Sequence, residues 1–220
     1  MSAETEPNLR AGLKKLQLEL TDGQVGQLLE YQTLIAKWTQ VYNLTSVRDP
    51  AEMLTHHLLD SLAAVKPLTR YLQLAEGRRE GIRLLDVGSG AGLPGAIFSI
   101  CCPKLQVTCV DTVSKKVAFV TQAALALRLP QLKGRHVRVE NVSEQFDVVC
   151  SRAFASLADF TSWSGVALAG QGAWMALKGK HPAEEISALP ASIDVFHVEQ
   201  LQVPGLNAER CIVWMKKTVT

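Results

Sequence analysis

Long apolar runs are absent: no stretch approaches the roughly 18 residues that a membrane-spanning helix needs, which excludes a helical membrane span. The opening MSAETEPNLR lacks the apolar segment of a secretory leader, so a cytoplasmic protein is expected. Cysteine is sparse. The five, Cys101, Cys102, Cys109, Cys150 and Cys211, form an odd set with no C-x-x-C pair, which argues against a disulfide framework and a zinc site alike. No metal is expected. An excess of one charge is missing too, with 23 Lys and Arg against 21 Asp and Glu, so composition alone points to no nucleic acid, membrane or acidic partner. Repeats and low-complexity tracts are also lacking. What is plentiful is apolar surface: 47% of the 220 residues are hydrophobic, enough for one substantial core.

The first eighty residues read as helical. Leu9, Leu13, Leu16 and Leu20 share one face of a helix over 9–20, and Thr21 with Gln24 has the form of a capping box opening a second helix. Asp49-Pro50-Ala51-Glu52 supplies the N-cap and first turn of a third, running to about Val65. From residue 81 the texture changes to short apolar runs, each followed by a helical stretch. Strands are predicted at 83–87, 105–110, 136–139, 146–150 and 173–177, and helices at 95–101, 114–128 and 157–168. That alternation describes a parallel sheet covered on both faces. Two further strands, near 193–201 and 209–215, are joined closely enough to be antiparallel. The expected division is a helical region over 1–80 and an α/β domain over 81–220.

The sharpest feature is Asp86-Val87-Gly88-Ser89-Gly90-Ala91-Gly92-Leu93-Pro94-Gly95, where an apolar strand runs through glycines into a helix. A ligand can approach such a strand end without meeting a Cβ. A dinucleotide fingerprint needs a glycine at 93, where this chain has Leu93. The pattern is G-x-G-x-G behind an acid, at Gly88, Gly90 and Gly92. S-adenosylmethionine brings an ammonium, a sulfonium and a ribose and no pyrophosphate, so carboxylates suit it. Asp86 is placed to hold the ammonium, directly or through water, and Asp111, ending the second strand, to accept the ribose hydroxyls. Asp111 alone would serve a nicotinamide dinucleotide equally.

The later strands narrow the chemistry. After the fourth strand stands Cys150-Ser151-Arg152-Ala153-Phe154-Ala155, without the Pro-Pro-aromatic tetrapeptide of exocyclic-amine methylation. Cys150 lacks the setting of a cytosine-C5 nucleophile and reads as a buried strand thiol. Arg152 lies where cofactor and substrate would meet, although an ion pair or a solvated side chain fits the same position. Between Lys104 and Arg138 seven basic residues face one acid, Asp111. This stretch could hold phosphates or be a solvated face. His57 and Asp60, three apart on the third helix, share one face and could orient the base or tie that helix to the sheet; since no general base is needed for the chemistry, the structural role is favoured.

Taken with Tyr42-Asn43-Leu44-Thr45, His57-Leu58-Leu59-Asp60-Ser61-Leu62, Lys115-Lys116 with Phe119, Phe146-Asp147 and Leu177-Lys178-Gly179, these motifs resemble the RsmG family, also called glucose-inhibited division protein B. Its members are bacterial 16S rRNA guanine-N7 methyltransferases, and the resemblance spans nearly the whole chain. It implies an α/β class I S-adenosylmethionine-dependent methyltransferase: a Rossmann-like, mostly parallel seven-stranded sheet with helices on both faces and an N-terminal helical extension. The implied reaction is methylation of N7 of guanine 527 in the 530 loop of small-subunit rRNA, the donor leaving as S-adenosyl-L-homocysteine. The partner is 16S rRNA or the small ribosomal subunit, with no membrane and no metal, and the protein is expected to be a monomer. Carried over by position, cofactor contacts fall at Gly88, Leu93, Val139, Glu140 and Arg152, beside Asp86, Gly90, Gly92 and Asp111 from the loop pattern. Arg152 and Lys178 are the candidate catalytic residues, and Lys115, Lys116, Arg135 and Arg138 the candidate RNA contacts. Asp111-Thr112 stands where many relatives have Glu-Ser or Asp-Ser, and Val139 where alanine is common. The competing classes are a nicotinamide-dependent oxidoreductase and a non-catalytic rRNA-binding protein.

Overall fold

The computed structural model describes residues 4–75 and 81–218, so the expected boundary at residue 80 lies at the edge of a stretch, 76–80, outside the described residues. Helix α1 (Thr5–Leu16) buries Leu9 and Leu13 but stops four residues earlier than predicted, because Gln17 turns left-handed at φ 53°. Each such leucine contributes roughly 1.5–3 kcal/mol of burial, which docks the helix despite its charged outer face. Helix α2 (Asp22–Tyr42) opens on the expected capping box: Thr21 Oγ1 accepts from the Gln24 N–H at 3.2 Å and Gln24 Oε1 accepts from the Thr21 N–H at 3.0 Å.

The third predicted helix is a compound element. Helix α3 (Pro50–Met53), N-capped by Asp49, runs into a π-helical segment, Leu54–Leu59, and on into the short α4 (Asp60–Leu62). A separate helix, α5 (Val65–Ala75), follows within the stretch read as helical, although no element was delimited there; Pro67 is tolerated because first-turn N–H groups have no intrahelical partner.

Seven strands form one sheet: β1 (Arg83–Val87), β2 (Gln106–Asp111), β3 (Leu132–His136), β4 (Phe146–Arg152), β5 (Leu168–Lys178), β6 (Ile193–Leu201) and β7 (Arg210–Lys217). Their order is β3-β2-β1-β4-β5-β7-β6. The first five are parallel, and β7 runs antiparallel to both β5 and β6. The third strand lies four residues upstream of its predicted start. It is an edge strand whose Leu-Lys-Gly-Arg-His sequence buries one face only at Leu132, so hydrophobicity marks Val137–Val139 more strongly than the strand itself. The predicted helix end at 168 and strand start at 173 are also corrected: α8 (Leu157–Ser164) is shorter, and Leu168 already belongs to β5.

Alternation along the buried strands separates two apolar layers. Leu84, Val148, Cys150 and Met175 pack with α1, α2, the compound helix, α5, α6 (Gly95–Cys101) and α7 (Ser114–Ala126). Leu85, Val149, Trp174 and Met215 pack on the other face with α8 and the 3-10 turn Val139–Asn141. The N-terminal helices thus share one core with the sheet. All the parallel strands deliver their C-terminal ends, and β7 its start, to one edge of the molecule.

Candidate active site

The glycine loop joins β1 to α6 at that edge. Gly88 has φ +65°, a conformation that side chains rarely adopt, and the ring of Phe154 fills the space a Cβ would take. At Gly95 the constraint is close approach: a Cβ there would lie 2.7 Å from Cys109 Sγ and 2.8 Å from Asp86 Oδ2. Asp86 Oδ2 accepts the Gly95 N–H at 2.8 Å, tying the strand to the first turn of α6. From the helical side, Tyr31 on α2 donates its hydroxyl to the Ala91 carbonyl, and Gln24 Nε2 donates to the Ile100 carbonyl at 2.8 Å. The N-terminal helices therefore hold the loop as well as cover the sheet.

Two cavities open along this edge, of about 670 Å³ and 360 Å³, and Gly88 and Ala153 line both. They are lobes of one cleft. Ala153, at their junction, has φ +52°, a conformation costing a non-glycine residue about 1–2 kcal/mol and held here by its surroundings. The smaller lobe is walled by Asp111, Lys116, Arg138, Val139 and Glu140, as predicted, and by Phe154 and Trp163, which were not. Phe154 and Trp163 meet edge to face, with ring centres 5.8 Å apart. Asp111 is buried; its Oδ2 accepts the Gly90 N–H at 3.0 Å and its Oδ1 the Val113 N–H at 2.9 Å, so the acid also braces the loop.

The larger lobe brings together Gly88, Gly90, Leu93, Arg152 and Lys178 with Thr45, His57, Asp60 and Arg210. Arg152 Nη1 donates to Asp60 Oδ2 at 2.8 Å and to the His56 carbonyl at 3.1 Å. Asp60 thus ties its helix to the sheet. Lys178 donates to both oxygens of Glu185, at 2.8 and 3.0 Å, and to the Ala155 carbonyl at 2.9 Å. Glu185 comes from α9 (Ala183–Ser187), a short helix not predicted. His57 Nε2 lies 2.9 Å from Thr45 Oγ1; burial, and then the neighbouring Arg152, push its imidazole down to about 4, so it is neutral near pH 7.

Other predicted positions lie off the cleft wall. Asp86 is fully buried beneath the loop; burial pushes its carboxyl up to about 7 against the opposing pull of the Gly95 N–H, and its Oδ1 has no N–H or O–H donor among the described residues. Gly92 packs inward against Tyr31 and Val120. Lys115 Nζ stands 5.4 Å above the Tyr42 ring, and Arg135 pairs with Glu144 at 2.7 Å. Arg210 was missed. Its signal is that of Arg152, a charge bordering an apolar strand at the same edge, except that an antiparallel strand carries it at its start.

The strand order, the antiparallel penultimate strand and the glycine loop below a bilobed cleft define a class I methyltransferase fold. The same fold occurs in a magnesium protoporphyrin IX methyltransferase (ChlM) from Synechocystis PCC 6803 solved with bound SAM, at TM-score 0.60 and 11% identity, covering 85% of this chain and 97% of that one.

 The chain belongs to the family described as rRNA small subunit methyltransferase G, whose pattern matches residues 24–213. It is 71% identical over 211 residues to the ribosomal RNA small subunit methyltransferase G of Polaromonas sp. (strain JS666 / ATCC BAA-500), covering 96% of this chain and 93% of that one. Against the same-named protein of Polaromonas naphthalenivorans (strain CJ2) the identity is 69% over 218 residues, covering 97% and 98%. It is an rRNA-methylating enzyme of that family.

Proposed function

We propose that this enzyme transfers the methyl group of S-adenosyl-L-methionine to N7 of guanine 527 in the 530 loop of 16S rRNA, acting in the cytoplasm as a monomer. The observation that carries the reading is the bilobed cleft, with Asp111 beside the glycine loop in one lobe and Arg152, Lys178 and Arg210 around the other. The residues present fit the cofactor. Asp111 lines the lobe suited to adenosine and keeps lone pairs for ribose hydroxyls, a Cβ built on Gly90 meets nothing within 4 Å, and the buried Asp86, whose Oδ1 has no N–H or O–H donor among the described residues, acts on the ammonium through a bridging water. Val139 and Glu140 border the same lobe, and Phe154 and Trp163 offer apolar faces to a purine.

The bound cofactor supplies an electrophilic methyl group. Guanine N7 carries a lone pair and no proton, so the attack needs no general base, and catalysis consists of bringing N7, methyl carbon and sulfur into line. Arg152 stands on the wall of the larger lobe beside Gly88 and Ala153, where the lobes meet, and there orients the reacting groups. Lys178, its charge balanced by Glu185 and its three donors bound, is held at the end of the next strand as a proposed contact that must exchange one of those bonds for phosphate or base. His57, held neutral, adds no charge to a site in which the purine becomes cationic. Lys116 and Arg138 at the smaller lobe, with Lys115 and Arg135 on the adjoining surface, supply the proposed RNA contacts.

The test is incubation with labelled S-adenosylmethionine and small subunits, or their rRNA, from a strain lacking the modification, followed by mapping of the labelled nucleotide. Label at N7 of guanine 527 is expected, and Arg152→Ala should lower the rate roughly a hundredfold, as loss of alignment does elsewhere. Label on another nucleotide, or tight NADH binding without response to S-adenosylmethionine, would overturn the reading.

A further inference from the structure

Asp60 stands where the π-helical segment rejoins the α-helix and meets the sheet. Its buried carboxylate divides its oxygens between two arginines from different strands: Oδ2 accepts from Arg152 Nη1 at 2.8 Å and Oδ1 from Arg210 Nε at 2.7 Å. Arg210 Nη1 also donates to the Glu209 carbonyl at 2.8 Å. These bonds do not exhaust either guanidinium. Nε and Nη2 of Arg152 and Nη2 of Arg210 have no acceptor among the described residues, both side chains line the larger lobe, and 20% and 26% of their surfaces stay exposed.

Two guanidiniums on one carboxylate leave an uncompensated positive charge at the cavity wall, while Lys178 is already matched by Glu185. Planar forks with free donors suit an oxyanion. Their position in the sheet says which one. Between the glycine loop at the end of β1 and Arg210 at the start of β7 lie β4 and β5, and at about 4.8 Å per strand that is about 14 Å, on the side away from Asp111. Arg210 therefore stands across the larger lobe from the glycine loop, on the side that the proposed cofactor site leaves for the substrate.

We infer that Arg210, held beside Arg152 by Asp60, binds a phosphodiester of the RNA next to the target nucleotide, and that Asp60 is the positioning residue of this arginine pair. The inference rests on the reading of the site as an RNA methylation site. It assigns Asp60 a role beyond fastening a helix: without its charge the two guanidiniums would repel, and Arg210 would lose the bond that turns it into the cavity.

The test measures steady-state methylation of small subunits at several salt concentrations for Arg210→Gln, Arg210→Lys and Asp60→Asn, with cofactor affinity by calorimetry and folding by thermal melting. Arg210→Gln is expected to raise KM for RNA about tenfold and to make the plot of log KM against log salt shallower by about one, the signature of one lost phosphate contact. Arg210→Lys should restore the salt slope but not the full affinity, since an ammonium lacks the fork. Asp60→Asn should raise KM for RNA by at least as much as Arg210→Gln, since both arginines lose their anchor. Unaltered KM and salt slope in Arg210→Gln, or a loss confined to cofactor affinity, would overturn the proposal. Should Asp60→Asn not fold, Arg210→Gln decides alone, because its side chain is partly exposed and Arg152 still neutralises Asp60. Mapping the wild-type product in the same assay separates the two readings: label at another nucleotide removes the guanine 527 assignment, while KM and its salt slope still decide the phosphate contact.

Discussion

Asp86 is a carboxyl sealed beneath the glycine loop, with one oxygen on the Gly95 N–H and the other without an N–H or O–H donor among the described residues. Because burial raises its titration to about 7, the native state holds a proton that the unfolded chain gives up near pH 4. Between those values the folded protein binds more protons, so this group's effect on stability is absent at low pH and grows unfavourable as pH rises to about 7, at up to about 1.4 kcal/mol per pH unit. Asp86→Asn removes that dependence. The free variant should be at least as stable as the wild type at pH 8, with a flatter stability profile from pH 5 to 7, and weaker cofactor binding is the outcome expected from the proposed water-bridged contact to the ammonium. Denaturant titrations across that range check the sign, and an unchanged profile would show that Asp86 is not the titrating group. The acid before the loop was legible in the sequence, since a carboxylate ending an apolar strand has few other uses. Its depth was not, because depth depends on how Gly95 and Cys109 close over it. Arg210 escaped notice for a related reason: sequence spacing does not reveal that it pairs with Asp60, 150 positions away.

At the scale of elements, what could be read was whatever repeats. The central strands, buried on both faces, appear as apolar runs, and the start of α6 at Gly95 and of α7 at Ser114 follow from the turns before them. The edge strand β3 and the short α9 carry little periodic signal, and a π-helical insertion is invisible to a 3.6-residue template. Yet that insertion lies where His57 and Asp60 reach the cleft. Helix α2 shows what an accessory element does for the site, since its Tyr31 hydroxyl satisfies the buried Ala91 carbonyl in the middle of the loop. Tyr31→Phe keeps the ring's packing against Phe119 and leaves that carbonyl without its donor, a loss of about 1–3 kcal/mol. The melting temperature should fall by several degrees and cofactor affinity should weaken with it. A variant that melts lower but binds the cofactor as tightly as the wild type would confine Tyr31 to stability.

For the whole molecule, the absence of a large net charge fits a site that grips its target locally, through paired arginines and a few lysines at one sheet edge, with acids balancing them elsewhere. The same edge is built from both halves of the chain. Thr45, His57 and Asp60 come from the helical region and Gly88, Arg152 and Arg210 from the sheet, while Leu9, Leu28 and Leu58 share a core with Leu84, Phe98 and Met175. Such a shared core predicts that the helices and the sheet unfold together and that a ligand in the cleft stabilises both. S-adenosylmethionine at a hundred times its dissociation constant should add about 2.7 kcal/mol. For a chain of this size that corresponds to a rise of about 5–11 °C in a single transition. Hydrogen exchange should slow in α2 and the π-helical segment as well as in the glycine loop, because each helps to wall or brace the cleft. Two transitions, with the cofactor shifting only the later-melting one, would instead make the helices an independent unit and would leave Asp60 and His57 outside the cooperative frame that this site requires.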